Sequence, residues 1–177
     1  MIKSFVSSIK GSHSRIFVGC AIVASMVIWG VAARAADTGN ITATVTATNL
    51  AVSVSGDGQI AFGSVALNTA TTTAGHSDTQ TVTNDGSTAQ LNVKAINATG
   101  GTAWTLSSSN GSDIYKLEVS TTTGSSYMAL QSANTYLTAS TTFTSLTSGN
   151  LDFQLTTPSG SSDFVQKSIT ITVQVAP

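Results

Sequence analysis

Apolar and hydroxylated side chains alternate with period two along much of this chain. In Ile41–Thr48 the odd positions are apolar (Ile41, Ala43, Val45, Ala47) and every even position is threonine. Tyr115, Leu117 and Val119 alternate with Lys116, Glu118 and Ser120. Leu151, Phe153 and Leu155 alternate with Asp152, Gln154 and Thr156, and Ile169 to Val175 repeat the pattern. Strict alternation turns one face of a strand to a core and the other to water. No stretch after residue 36 carries the i, i+3, i+4, i+7 stripe of a helix.

Turn dipeptides and tripeptides separate these runs: Gly56-Asp57-Gly58, Asn84-Asp85-Gly86, Gly100-Gly101, Asn110-Gly111, Thr123-Gly124, Ser148-Gly149-Asn150 and Pro158-Ser159-Gly160. Such residues supply the positive φ angles of tight hairpins. The pattern predicts an all-β fold, a two-sheet immunoglobulin-like sandwich of about eight or nine antiparallel strands. The strands are expected near 41–48, 50–55, 59–66, 78–84, 89–96, 103–108, 114–120, 150–157 and 165–175. Residues 126–147 are expected to hold one or two more short strands.

The first 35 residues follow another logic. Lys3, Lys10 and Arg15 make a cationic head, residues 16–33 are apolar, and Ala33-Arg34-Ala35 has the small-x-small form of a cleavage site. This predicts a signal peptide, 1–35, removed after Ala35 to leave a single domain, 36–177, that is secreted or at the cell surface. The alternative is a retained anchor, with residues 16–33 the only membrane contact. The 36–177 part holds eight acids and three lysines (Lys94, Lys116, Lys167), a formal charge of −5. Three scattered cations cannot neutralise a row of phosphates, which excludes nucleic acid as a partner. With Cys20 in the leader, no disulfide is available; a core of ~140 residues does not need one. Ser and Thr make up 49 of these 142 residues. Because proline is nearly absent and the threonines alternate with Val, Ile and Leu, they read as strand surface and not as a disordered stalk.

Within 60–106, Phe62-Gly63-Ser64-Val65 is followed by Thr81, Val82, Asn84 and Gly86, then by Leu91, Val93, Ile96 and Trp104. This run resembles the immunoglobulin-like modules of the ASPM/SPD-2/Hydin type and their bacterial surface-protein relatives. The resemblance covers about a third of the 36–177 part and departs after residue 107. It implies a fold and a scaffolding habit, with no catalytic residue to carry over. At the turn position where that pattern usually has glycine stands Asn68, which tolerates a left-handed backbone.

The candidate chemistry is sparse. His76, beside Ser77 and Asp78, lacks a nucleophile turn such as G-x-S-x-G, so a loop histidine is expected rather than a triad. One histidine without cysteine cannot hold zinc. Asp57, Asp85 and Asp113 with loop carbonyls are calcium candidates, against which stands ordinary turn chemistry. Glu118 and Asp152 lie on outward faces, where solvated strand surface outweighs a glycosidase pair. Accordingly no catalytic residue, no metal, no cofactor and no enzymatic activity are expected, a secreted hydrolase resting on His76 and the spare acids being the least favoured alternative. Trp104 is expected mainly in the core. Tyr127 and Tyr136 are the candidate ligand-facing aromatics for a carbohydrate-binding module, the alternative function. Sequons at Asn40, Asn97 and Asn110 would mark surface loops in a host that glycosylates exported Asn.

Both ends of the 36–177 part read as long strands, and terminal strands can expose backbone edges that recruit another chain. The leading expectation is therefore an exported, non-catalytic structural or interaction protein of the cell envelope, surface or extracellular matrix. Its partners are expected to be protein, either itself or other envelope components, by strand addition. A glycan partner goes with the alternative function.

Overall fold

Where alternation coincides with a long apolar side chain at every second position, the chain forms a paired strand. The computed structural model describes residues 42–177; the predicted leader, 1–35, and Ile41 lie outside the described residues. The compact unit is Thr46–Pro177, and of the unit before it residues 42–45 are exposed and without regular structure. The strands are β1 Val52–Ser55, β2 Ala70–Thr72, β3 Gln80–Asn84, β4 Ala89–Ala95, β5 Thr105–Leu106, β6 Ile114–Ser120, β7 Met128–Ala129, β8 Leu137–Phe143, β9 Ser148–Thr156 and β10 Ile171–Ala176. A single 3₁₀ turn, Ala74–His76, stands between β2 and β3.

The strands form two sheets. The larger runs β1-β3-β9-β6-β5, with β2 also on β9 and β7 also on β6; the smaller runs β10-β4-β8. Strand β9 is the spine of the larger sheet. One of its edges pairs with β3 through Gln80↔Leu151 to Thr83↔Ser148 and then with β2 through Thr72↔Gln154 to Ala70↔Thr156. Its other edge pairs with β6, from Ser120↔Asp152 to Lys116↔Thr156. Strands β2 and β3 thus act as one strand interrupted by residues 73–79. The sheets share one core, in which Val82, Val93, Tyr115, Leu117, Val119 and Leu151 are fully buried. Each such side chain contributes ~1.5–3 kcal/mol of burial.

Alternation located β3, β4, β6 and β9 within about two residues. Other expectations need correction. The described residues hold ten strands, and β5 lies parallel to β6 (Thr105↔Ile114, Leu106↔Tyr115), so the larger sheet is mixed. The pair is two residues long, and the intervening loop reverses through Asp113 (φ +51). Residues 42–48 form no strand; they are exposed and have no ladder partner. Nor do residues 59–66, where Gly63 (φ +67) breaks the extended run and Asp78 takes the Ala61 amide. The last strand begins at Ile171 and not at 165, because Ser168 is bridged to Thr99 instead. Residues 126–147 hold β7 and β8.

Candidate functional site

His76 ends the 3₁₀ turn, exposed, with Nε2 2.9 Å from Thr71 Oγ1. The Asp78 carboxylate is engaged elsewhere: it accepts from the Ala61 amide at 2.8 Å and from Gln80 Nε2 at 3.0 Å. The two residues therefore do not build a charge-relay pair. The calcium candidates are spread over separate turns. Asp57 accepts the Gln59 amide at 2.9 Å within its own turn, and Asp113 accepts from Ser161 Oγ at 2.5 Å, tying two segments 48 residues apart in sequence.

Glu118 and Asp152 do not lie on solvated surface as expected. Asp152 is 0 % exposed, roofed by residues 73–79. Its Oδ1 accepts from Thr73 Oγ1 at 3.1 Å and Thr79 Oγ1 at 2.5 Å, while Oδ2 is buried without a hydrogen-bond partner. Beside it on β6, Glu118 Oε2 lies 2.7 Å from Lys116 Nζ as an ion pair. The Tyr127 hydroxyl is likewise buried; desolvation, then the Asp152 charge, push its pKa up. This buried polar cluster holds the interruption between β2 and β3 against the sheet. Asp152 is closed to solvent, whereas the Glu118 side chain keeps a small exposed margin.

Tyr127 and Tyr136 are not brought together. Tyr127 precedes β7 on the larger sheet, whereas Tyr136 precedes β8 on the smaller one with Lys94 Nζ 4.7 Å from its ring centroid. Trp104 is half-buried at the core's margin, its Nε1 3.3 Å from Ser161 Oγ and Lys167 Nζ 5.4 Å from its ring centroid. Two sequon asparagines use their side chains internally: Asn97 accepts the Leu106 amide, and Asn110 donates to Asn68 Oδ1 and the Thr157 carbonyl. Asn40 lies outside the described residues.

The feature open to a partner is apolar. Strand β1 ends at Ser55, and the chain reverses through Gly56 (φ +101) and Gly58 (φ +65), two conformations glycine tolerates. Ile60 returns toward the core, facing the start of β10. Between β1 and β10 lies a groove of about 120 Å³, floored by Val82, Leu151 and Phe153 and walled by Val54, Ile60, Ile171 and Val173. Val54 remains 45 % exposed. Gln80 is the one polar side chain in the lining, and its Nε2 is occupied by Gln59 O, Asp78 O and Asp78 Oδ1. Strands β1 and β10 are also sheet edges, each paired on one side, to β3 and β4 respectively. Among the described residues no strand covers their outer edges.

No family model, curated protein or solved structure matches the chain. The groove was not foreseen because Ile171 and Val173 were expected to be ordinary inward positions of the last strand. The signal that could have found it is the glycine pair at 56 and 58, whose positive φ angles end β1 after Ser55.

Proposed function

We propose that this chain is an exported, non-catalytic structural or interaction protein of the cell envelope, surface or extracellular matrix that associates by strand addition. Its two sheets are read as an immunoglobulin-like sandwich left open on one side. The observation that carries the reading is the apolar groove between β1 and β10, bordered by two strand edges without partners. An edge strand offers a row of unpaired backbone groups, and a neighbouring apolar trough selects the side chains of whatever pairs there. The lysines support a protein partner rather than a polyanion. Lys94 lies over Tyr136, Lys116 beside Glu118, and Lys167 is held by Asp163 at 2.8 Å. The separation of Tyr127 from Tyr136 takes away the shared aromatic platform of the carbohydrate-binding alternative.

The test is the association state of the exported chain. Light scattering after size exclusion at several concentrations, with electron microscopy, is expected to show concentration-dependent oligomers or fibres. A monomer throughout refutes self-assembly.

A further inference from the structure

The groove has a matching segment within the same sequence. Residues 42–48 (TATVTAT) have the alternation of a strand, yet they pair with nothing among the described residues, and Val45 is 94 % exposed. We propose that this segment of a second copy is the occupant of the β1–β10 groove, with Ala43, Val45 and Ala47 turned inward and the threonines outward. The proposal rests on the strand-addition reading above and names its donor.

Three observations select this segment. Its inward side chains are small or β-branched, suiting a trough of about 120 Å³ that would not admit a row of aromatics. It carries no charge, and the trough presents none; the donor would desolvate no ion on either side. Its length also fits: seven extended residues span ~23 Å and the six of β10 span ~20 Å, so one donor covers one edge.

The geometry also argues that the donor comes from another molecule. The residues just after the segment are pinned in the β1–β3 ladder's continuation. The Asn49 carbonyl accepts the Ser87 amide, and the Ala51 carbonyl accepts the Asp85 amide at 2.9 Å. A return in cis could therefore not begin until residue 48 or earlier. The reversal would consume the very residues that must lie in the groove, since a hairpin loop takes at least two residues and more when no Gly or Asn is present. Thr42–Thr48 contains neither. A second copy meets no such constraint, and because its own groove stays open for a third, the contact is head-to-tail and propagates.

The experiment expresses the full chain carrying Cys20→Ser, so that no native thiol is present whether or not the leader is removed. Donor chains carry Val45→Cys and acceptor chains carry Ile171→Cys or Val173→Cys; the two are mixed and oxidised. A disulfide-linked heterodimer from Val45→Cys, absent when the thiol sits at Thr44 or Thr46, is the expected result. Assembly without any Val45 cross-link to either acceptor overturns the donor assignment and leaves strand addition standing. A chain that never assembles removes both. A chain carrying both Val45→Cys and Val173→Cys that closes as a monomer shows cis occupancy and also overturns the proposal. As a second arm, Val45→Asp is expected to abolish oligomers and the concentration-dependent part of the melting temperature, while leaving the melting temperature of the dilute monomer unchanged, Val45 being 94 % exposed. A lowered melting temperature of the dilute monomer would instead show that Val45 supports its own fold and overturn the proposal.

Discussion

Asn84 and Gly86 work together at the end of β3. The fully buried Asn84 side chain donates to the Phe143 carbonyl at 2.8 Å and the Ser87 carbonyl at 2.9 Å, and accepts the Gly86 amide at 3.0 Å. Gly86 in turn lies so close to the segment before β1 that a Cβ would run into the Asn49 carbonyl and approach Ala51 N to 2.8 Å. Gly86→Ala is expected to destabilise by ~1–3 kcal/mol, read from the denaturant midpoint. Tyr115 sets an alkaline limit. Its hydroxyl donates to the Ile96 carbonyl at 2.5 Å, and burial raises its pKa above the ordinary value of 10.0. The folded state thus favours the neutral phenol: this contribution is complete below pH 10.0 and is lost as pH rises beyond it. Tyr115→Phe should cost about 1 kcal/mol at neutral pH through the lost hydrogen bond, while removing that alkaline loss in denaturation at about pH 11. Asp163 acts at the other end of the scale. Hydrogen bonding from Lys167, then from the Val165 and Thr102 amides, lowers its pKa from 3.8 to about 2. A depressed carboxyl contributes above its unfolded value and loses that contribution as pH falls from 3.8 through about 2. Asp163→Asn should lack this acid-dependent component, which paired denaturation series at neutral and acid pH would show.

At the scale of elements, the floor and wall of the groove differ in stability. Leu151→Ala on β9 should cost ~2–5 kcal/mol because the side chain is fully enclosed. Ile171→Ala on β10 removes a half-buried side chain at an open margin and should cost about 1 kcal/mol, which thermal melts of the two variants would separate. The same contrast explains what could be read in advance. Strands β6 and β9 were legible because their inward residues are Tyr, Leu, Val and Phe, whose burial overrides local alternatives. Strand β2 was hidden in Ala70-Thr71-Thr72, where no large apolar residue marks a face; its place is set by the ladder with β9. Residues 42–48 posed the reverse problem. Alternation reports that a segment can sit on a sheet, and says nothing of whether its own chain supplies the edge. The Asp152 cluster was illegible for a related reason. Its outward position on β9 is clear from period two, but the roof over it comes from Thr73 and Thr79, 79 and 73 residues away in sequence.

For the molecule as a whole, the order in which strands reach the larger sheet matters more than their number. Its spine, β9, is among the last segments to appear, and β2, β3 and β6 all hydrogen-bond to it. All three ladders of β9 therefore span long stretches of chain, and such topologies fold in milliseconds to seconds. Stopped-flow refolding of residues 36–177 is expected to fall in that range; a microsecond phase carrying the full amplitude would contradict it. A polypeptide emerging N-terminus first cannot close this sheet until Thr156 has been delivered, since β1 and β3 alone make only an isolated two-strand ribbon. Were the chain exported as proposed above, it would stay unlocked, and so threadable, until β9 had been delivered.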